Sequence, residues 1–221
     1  MQRILEPEVM DTPQEAREYD EMDFLAVNSD FAARAIATFP STTAYGLDAG
    51  TGTARIPILI CQERPHWQIV GIDLARSMLD RGRQNIAAAG LERRITLECV
   101  DSKQMPYADA SFDFVLSNSL VHHLPDPLPF FQEIARVLKP PGAILIRDLL
   151  RPPSAENVEE IVEAVGPQYS PHQTQLFRDS LRAAFTLSEV EQLFERSRIE
   201  GVRIYQSSDR HWTAERTAIA L

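Results

Sequence analysis

Glycines and carboxylates recur in this chain where short apolar, β-branched runs stop. The first run ends in Leu47-Asp48-Ala49-Gly50-Thr51-Gly52-Thr53-Ala54. Its glycines permit dihedrals and a close backbone approach that a Cβ would block. A helix opening directly after them would aim free amides, and the positive end of its dipole, at an electron-rich ligand group. The second run, Val70-Gly71-Ile72-Asp73-Leu74, ends in an acid about 20 residues beyond the glycines, the separation expected for a carboxylate that bonds ribose hydroxyls. An acid buried at a strand tip is costly to desolvate without a partner, so Asp73 points to a polar ligand. The third run, Glu98-Cys99-Val100-Asp101-Ser102, supplies an acid suited to an exocyclic amine such as adenine's, or to capping the short turn that follows.

The next two runs carry groups for proton transfer. Phe112-Asp113-Phe114-Val115-Leu116 leads into Ser117-Asn118-Ser119-Leu120-Val121-His122-His123-Leu124. An imidazole with a pKa near ~6.5 can take a proton from a hydroxyl or a protonated amine. Neighbours on an extended strand point to opposite faces, so only one of the two histidines is expected to face a ligand. No metal is expected, because no third ligand lies at a recognisable spacing from this pair. The fifth run reaches Arg147-Asp148-Leu149-Leu150-Arg151, where Asp148 and Arg151 either anchor a polar ligand or pair with each other and with solvent.

Alternating elements would position these groups. Strands are read at 44–47, 68–72, 95–100, 112–116 and 143–146, with helices at 54–62, 77–89 and 129–138. Such an order makes a parallel, doubly wound sheet with right-handed crossovers and helices on both faces. Its ligands sit beyond the carboxyl ends of the strands. The first forty residues read as helical, from Pro13 after the cap Thr12 through Phe24, Val27, Phe31 and Ala35, with Pro40-Ser41 as the stop. Arg151-Pro152-Pro153-Ser154 breaks the chain before a helix-rich stretch over 155–198. That stretch offers Tyr169, His172, Gln175, Phe177 and Arg178, although amphipathic packing alone accounts for Leu176, Phe177 and Leu181. Strands at 202–206 and 211–220, joined by Ser207-Ser208-Asp209, close the chain as an antiparallel pair.

Length and composition narrow the function. A chain of 221 residues suits one α/β domain. With 32 acidic against 22 basic residues and a net charge of −10, and no basic run beyond pairs such as Arg93-Arg94, a nucleic-acid partner is not expected. A small-molecule partner is. The start lacks a signal-peptide pattern and no apolar stretch approaches the ~20 residues of a membrane span, so the cytoplasm is the expected compartment. Cys61 and Cys99 stand in apolar segments and read as reduced core thiols. A dinucleotide site would continue Gly50-x-Gly52 to a third glycine, where this chain has Arg55.

Taken together, the motifs resemble the class I S-adenosylmethionine-dependent methyltransferases, in their small-molecule, quinone-methyltransferase-like subgroup. The likeness covers roughly 44–150 and, more loosely, both ends. It rests on the glycine turn, Gly71-Ile72-Asp73-Leu74-Ala75-Arg76-Ser77-Met78-Leu79, Asp101-Ser102, Met105-Pro106-Tyr107, Ser111-Phe112-Asp113-Phe114-Val115-Leu116-Ser117-Asn118 and Leu138-Lys139-Pro140-Pro141-Gly142. The chain departs from the usual pattern at Ala54, often glycine, and at Pro141, where Pro-Gly-Gly is usual.

The resemblance implies one methyltransferase domain. Its parts are a helical N-terminal lid (1–40), a cofactor-binding core (41–150), a helical cover inserted after the fifth strand (151–198) and a closing strand pair (199–221), around a mostly parallel seven-stranded sheet whose last strand is antiparallel. It implies S-adenosylmethionine as cofactor, with Gly50 and Gly52 near its methionine part, Asp48 near the amino group, Asp73 on the ribose and Leu74 flanking the adenine. Asp101 and the backbone of Ser102 would read the adenine edge, while Ser117, Asn118 and His123 would border the cofactor. His122 is then left as a general base. Tyr19, His122, Asp148, Arg151 and Arg178 become the groups for a small acceptor, reached by in-line displacement at ~3–3.5 Å from the methyl carbon. The competing functions are a non-catalytic cofactor- or partner-binding protein and an NAD-type oxidoreductase.

Overall fold

The computed structural model describes residues 1–6, 11–22, 24–165 and 169–218. Strands β1 (Ala44–Ala49), β2 (Trp67–Asp73), β3 (Ile95–Cys99), β4 (Phe112–Asn118), β5 (Leu138–Leu149), β6 (Arg203–Gln206) and β7 (His211–Arg216) form one seven-stranded sheet in the order β3-β2-β1-β4-β5-β7-β6. The first five run parallel; β7 is antiparallel to both β5 and β6. The chain winds outward from β1 to β3 and then returns to place β4 on the other side of β1. Crossovers diverge at that point and leave a crevice beyond the strand ends.

The central strands are apolar on both faces, as strands covered by helices must be. Phe114, Val115 and Leu116 of β4 and Ile144, Leu145 and Ile146 of β5 are all buried. On one face, α5 (Leu128–Val137) and α8 (Leu187–Ser197) contribute Phe130, Phe131, Ile134 and Phe194 to the core. On the other, α2 (Leu25–Thr38) and α3 (Arg55–Glu63) contribute Phe31, Ala35, Ile60 and Cys61, with α4 (Arg76–Ala89) adding Ile86. Helix α1 (Pro13–Glu21) begins with a Thr12/Glu15 capping box and Pro13 in its first turn. Helices α6 (Ala155–Val165) and α7 (Pro171–Ala183) pair beside the end of β5, burying Val158, Val162 and Leu181 with Leu149.

Several sequence expectations shift. The N-terminal helical block is two helices, since α1 ends at a C-cap on extended Met22. Strand β5 starts at Leu138 rather than 143, because Leu138 pairs with Phe112 and a register shift absorbs the residues between. Strand β7 ends at Arg216, and residues 219 and 220 of the expected strand lie outside the described residues. Cys61 is a buried thiol, pushed up to about 11 by burial, but Cys99 is exposed because β3 is an edge strand. Among the described residues, no helix is long and apolar enough to cross a membrane.

Candidate functional site

At the end of β1 the backbone turns left-handed three times in five residues, at Gly50 (φ +74°), Gly52 (φ +52°) and Ala54 (φ 61°). A Cβ at Gly50 would stand 2.9 Å from Leu120 Cβ, so glycine is required there on two counts. The carboxylate at the tip of β2 holds this turn: Asp73 Oδ2 accepts the Gly52 amide at 2.9 Å and Oδ1 accepts the Ala75 amide at 2.9 Å. Each oxygen keeps a second lone pair. Burial raises the Asp73 pKa, against these donors. Asp48 is 2% exposed, and burial, with the nearby charge of Asp73, pushes it up to about 7. Leu74 beside Asp73 is 55% exposed, an apolar face left open to a flat ligand. At the end of β3, Asp101 Oδ1 accepts the Lys103 amide and ammonium at 2.9 and 2.8 Å, while Ser102 is buried.

Arg55, standing where a pyrophosphate loop has glycine, serves a different purpose. It and Arg81 clamp the carboxylate of Asp20 from α1, at 2.7–2.8 Å, and Asn85 adds a third donor. Burial opposes ionisation of Asp20, but the two guanidiniums hold its pKa below the usual range. The clamp lays α1 across α3 and α4 and brings the Tyr19 ring over Gly52, 3.9 Å from where a Cβ would be. Burial and the charges of Asp73 and Asp20 push the Tyr19 phenol up to about 12, so it stays a neutral donor.

Beyond β4 and β5 lies a cavity of about 860 Å³, bounded by α1, α2, α6, α7 and the β6–β7 turn. Pockets of this size enclose drug-sized molecules. Tyr19, Phe24, Tyr169 and Phe177 give it aromatic walls, and His122, His123, His172 and His211 also line it. The two adjacent histidines sit on a 3₁₀ turn, Val121–His123, not on an extended strand. Both therefore face the cavity, with ring centroids 4.0 Å apart. His122 is buried, and its Nδ1 bonds Asp148 Oδ1 at 2.5 Å. Asp148 also accepts the Val121 amide at 2.5 Å and the Leu149 amide at 2.6 Å. Burial opposes the charge on His122, but the Asp148 carboxylate raises its pKa, and Asp148 is lowered in turn. His211 is pushed down to about 4 by burial and the charge of Arg147, so it is neutral.

Other expected site residues are placed elsewhere. Ser117 donates its hydroxyl to the Ala49 carbonyl at 2.9 Å and is fully buried between β1 and β4, away from the cavity. Asn118 does line the cavity and accepts Arg147 Nε at 2.9 Å. Arg151 is buried away from the cavity, bonding Glu189 at 2.7 Å and the Ala184 carbonyl. Arg178 faces α6 and pairs with Glu159, and Gln175 bonds Asp179 within α7. Asp148 lies beneath His122 rather than in the cavity wall.

Two further contributors were not singled out as site residues in the sequence. Arg147 reaches the cavity over the Phe31 ring, bonded to the Val27 carbonyl. Glu6 arrives from the N-terminal strap, where it meets His123, Ser180 and His122. Arg3 fastens that strap by donating to the carbonyls of His122, Leu124, Pro125 and Ala183.

A doubly wound sheet thus carries a left-handed glycine turn, a strand-end acid bonded to it and an aromatic cavity alongside. Residues 47–146 match the family model of the methyltransferase domain. The chain is 31% identical to a 27-O-demethylrifamycin SV methyltransferase of Amycolatopsis mediterranei over 119 residues, 54% of this chain and 43% of that protein. It is 31% identical to a ubiquinone/menaquinone biosynthesis C-methyltransferase of Desulfotalea psychrophila over 112 residues, 51% of this chain and 43% of that one. The chain thus spans less than half the length of these curated relatives. Across its whole length it superposes on an S-adenosyl-L-methionine-dependent methyltransferase structure from Methanococcus maripaludis with a TM-score of 0.74 at 21% identity, covering 99% of both chains.

Proposed function

We propose that the protein transfers the methyl group of S-adenosylmethionine to a small-molecule acceptor held in the aromatic cavity. The observation that carries this reading is the left-handed turn at Gly50 and Gly52 tied to the Asp73 carboxylate, beside an exposed Leu74. These residues fit the cofactor. Gly50 and Gly52 admit its methionine part, and the Asp48 carboxylate faces the ammonium. Asp73 uses its remaining lone pairs on the ribose hydroxyls, Leu74 packs on the adenine, and Asp101 with the Ser102 amide reads the adenine edge. Asn118 and His123 border it. When bound, the cofactor supplies an electrophilic methyl group on sulfonium.

The chain's own part is mostly placement, since holding an acceptor in line supplies several kcal/mol without acid or base. Tyr19 over Gly52 and the α6–α7 pair close the cavity as lid and cover. Where the acceptor is a hydroxyl or protonated amine, His122 takes the proton on Nε2 while Asp148 holds its Nδ1–H. The aromatic walls support an acceptor with an apolar ring body. The −10 net charge supports a small molecule over a nucleic acid, and two unpaired thiols support the cytoplasm as compartment.

Calorimetry with S-adenosylhomocysteine and, separately, NAD tests the cofactor. Binding of the first and not the second is expected, and the reverse would overturn the reading. Incubation with labelled cofactor and a metabolite extract then tests transfer; no labelled product across acceptor-rich extracts would refute catalysis.

A further inference from the structure

The acceptor cavity holds a constellation that proton transfer alone does not use. Glu6, His122 and His123 meet from opposite ends of the fold, and one ligand atom of each lies within 4.8 Å of the other two. Glu6 Oε1 is 4.0 Å from His122 Nε2, and Glu6 Oε2 bonds His123 Nδ1. Zinc-like ions sit ~2.0–2.2 Å from nitrogen and oxygen ligands, which places the ligand atoms of a tetrahedral site roughly 3.4 Å apart. The His122–Glu6 separation of 4.0 Å is somewhat wider than that, and His123 already bonds the other oxygen of the same carboxylate. No third ligand stands near the histidine pair in sequence; Glu6 comes from the N-terminal strap, more than a hundred residues away.

The surroundings are those of a ligand set. His122 is 4% exposed and Asp148 1%, and their bond fixes the ring and directs Nε2 toward Glu6. A carboxylate behind an imidazole, holding its tautomer and ring plane, is the usual support of a metal-bound histidine. Ser180 donates to Glu6 Oε1 and orients the carboxylate. Arg3 and the Ile4 amide, bonded to the Arg182 carbonyl at 3.0 Å, fasten the strap that carries Glu6. The cavity that His122 and His123 line leaves room for a fourth ligand.

We propose that Glu6, His122 and His123 bind a divalent first-row transition ion such as Zn²⁺ or Co²⁺, with an open coordination position toward the acceptor cavity. Two imidazoles with one carboxylate select such ions over Mg²⁺ and Ca²⁺, which take oxygen ligands. An acceptor hydroxyl or thiol coordinated there releases its proton to solvent more readily, leaving an anionic nucleophile on the ion, and His122 Nε2, as a ligand, then holds the ion instead of accepting the proton. This last consequence, and only this one, rests on the methyl-transfer reading.

The test uses the full chain, stripped with a chelator, without cofactor or acceptor. Calorimetric titration with Zn²⁺ and visible absorption with Co²⁺ should each report one equivalent bound, the latter with the d–d bands of a nitrogen- and oxygen-ligated ion. His123→Ala, at a half-exposed position, and Glu6→Gln should each weaken binding more than tenfold while circular dichroism shows a folded protein. Asp148→Asn should weaken it by ~10–100-fold through the imidazole it supports. No stoichiometric binding by the unmodified chain, or binding unchanged by His123→Ala or Glu6→Gln, overturns the site. A chain that binds the ion but not S-adenosylhomocysteine would refute the cofactor reading and leave the metal site standing.

Discussion

The two ends of the crevice are built on different plans. The cofactor end consists of two strand-to-helix turns, at Asp48 to Ala54 and Asp73 to Ala75, and the loop turn after β3 at Asp101 to Lys103, each tied by short-range or neighbouring-strand hydrogen bonds. The acceptor end collects Tyr19, His122, Phe177 and His211 around one cavity, with Glu6 against His122, residues that meet only when the helices over the sheet and the N-terminal strap have docked. A turn is specified by local backbone needs, whereas a cavity wall is specified by packing between elements. The second plan allows substrate choice to change while the sheet and cofactor turns stay as they are.

The largest expected effect tests whether the acceptor end is nonetheless rooted in the sheet. Asp148→Ala leaves the His122 ring and the Val121 and Leu149 amides without their acceptor. Removing one member of such a buried pair should cost ~3–5 kcal/mol, read as a lower denaturant midpoint. A loss below ~1 kcal/mol would mean the cavity wall is only loosely attached to β5. At the cofactor end, Asp73→Ala should weaken S-adenosylhomocysteine binding by ~1–3 kcal/mol in calorimetry, the value of a charge-assisted hydrogen bond. Unchanged affinity would remove Asp73 from the site.

Acidity separates the two ends further. Burial pushes Asp48 up to about 7, well above its unfolded value. A carboxyl raised in the fold favours the native state in acid, and that contribution is lost as pH rises from the unfolded value through about 7. A cationic ammonium needs the ionised form. Cofactor affinity should therefore fall about tenfold per pH unit below about 7 and level off above it. Asp48→Asn should flatten the profile; a profile that keeps its slope in the variant assigns the titration to another group.

Legibility in the sequence follows the same division. Gly50, Gly52, Asp73 and Asp101 could be read because turn chemistry and strand ends leave contiguous marks. The sheet was legible because β4 and β5 are apolar on both faces. One of the two adjacent histidines was expected to face a ligand and both line the cavity, since the 3₁₀ turn at Val121–His123 has no periodic signature. Arg151 and Arg178 read as ligand groups and instead pair with Glu189 and Glu159, because charge alone does not say which way a long side chain runs. Glu6 lay in a segment without any regular pattern, and the long-range bonds of Arg3 and the Ile4 amide bring it to the histidines.

The smallest expected effect probes how much freedom the local plan leaves. Ala54 holds φ 61°, a left-handed conformation that costs an L residue ~1–2 kcal/mol. Ala54→Gly relieves that strain. It also removes a fully buried methyl group, worth ~0.8 kcal/mol, and adds unfolded-state entropy worth ~0.4–1 kcal/mol. The terms oppose, so stability by denaturation should change by less than ~1 kcal/mol, and cofactor affinity should hold. Gly50→Ala makes the contrast, because there a left-handed φ coincides with a Cβ placed 2.9 Å from Leu120 Cβ, and both stability and cofactor binding should drop. Equal responses at the two positions would mean the turn is constrained as a whole. Unequal ones would locate the constraint where β1 meets the cavity wall, at the contact between Gly50 and Leu120.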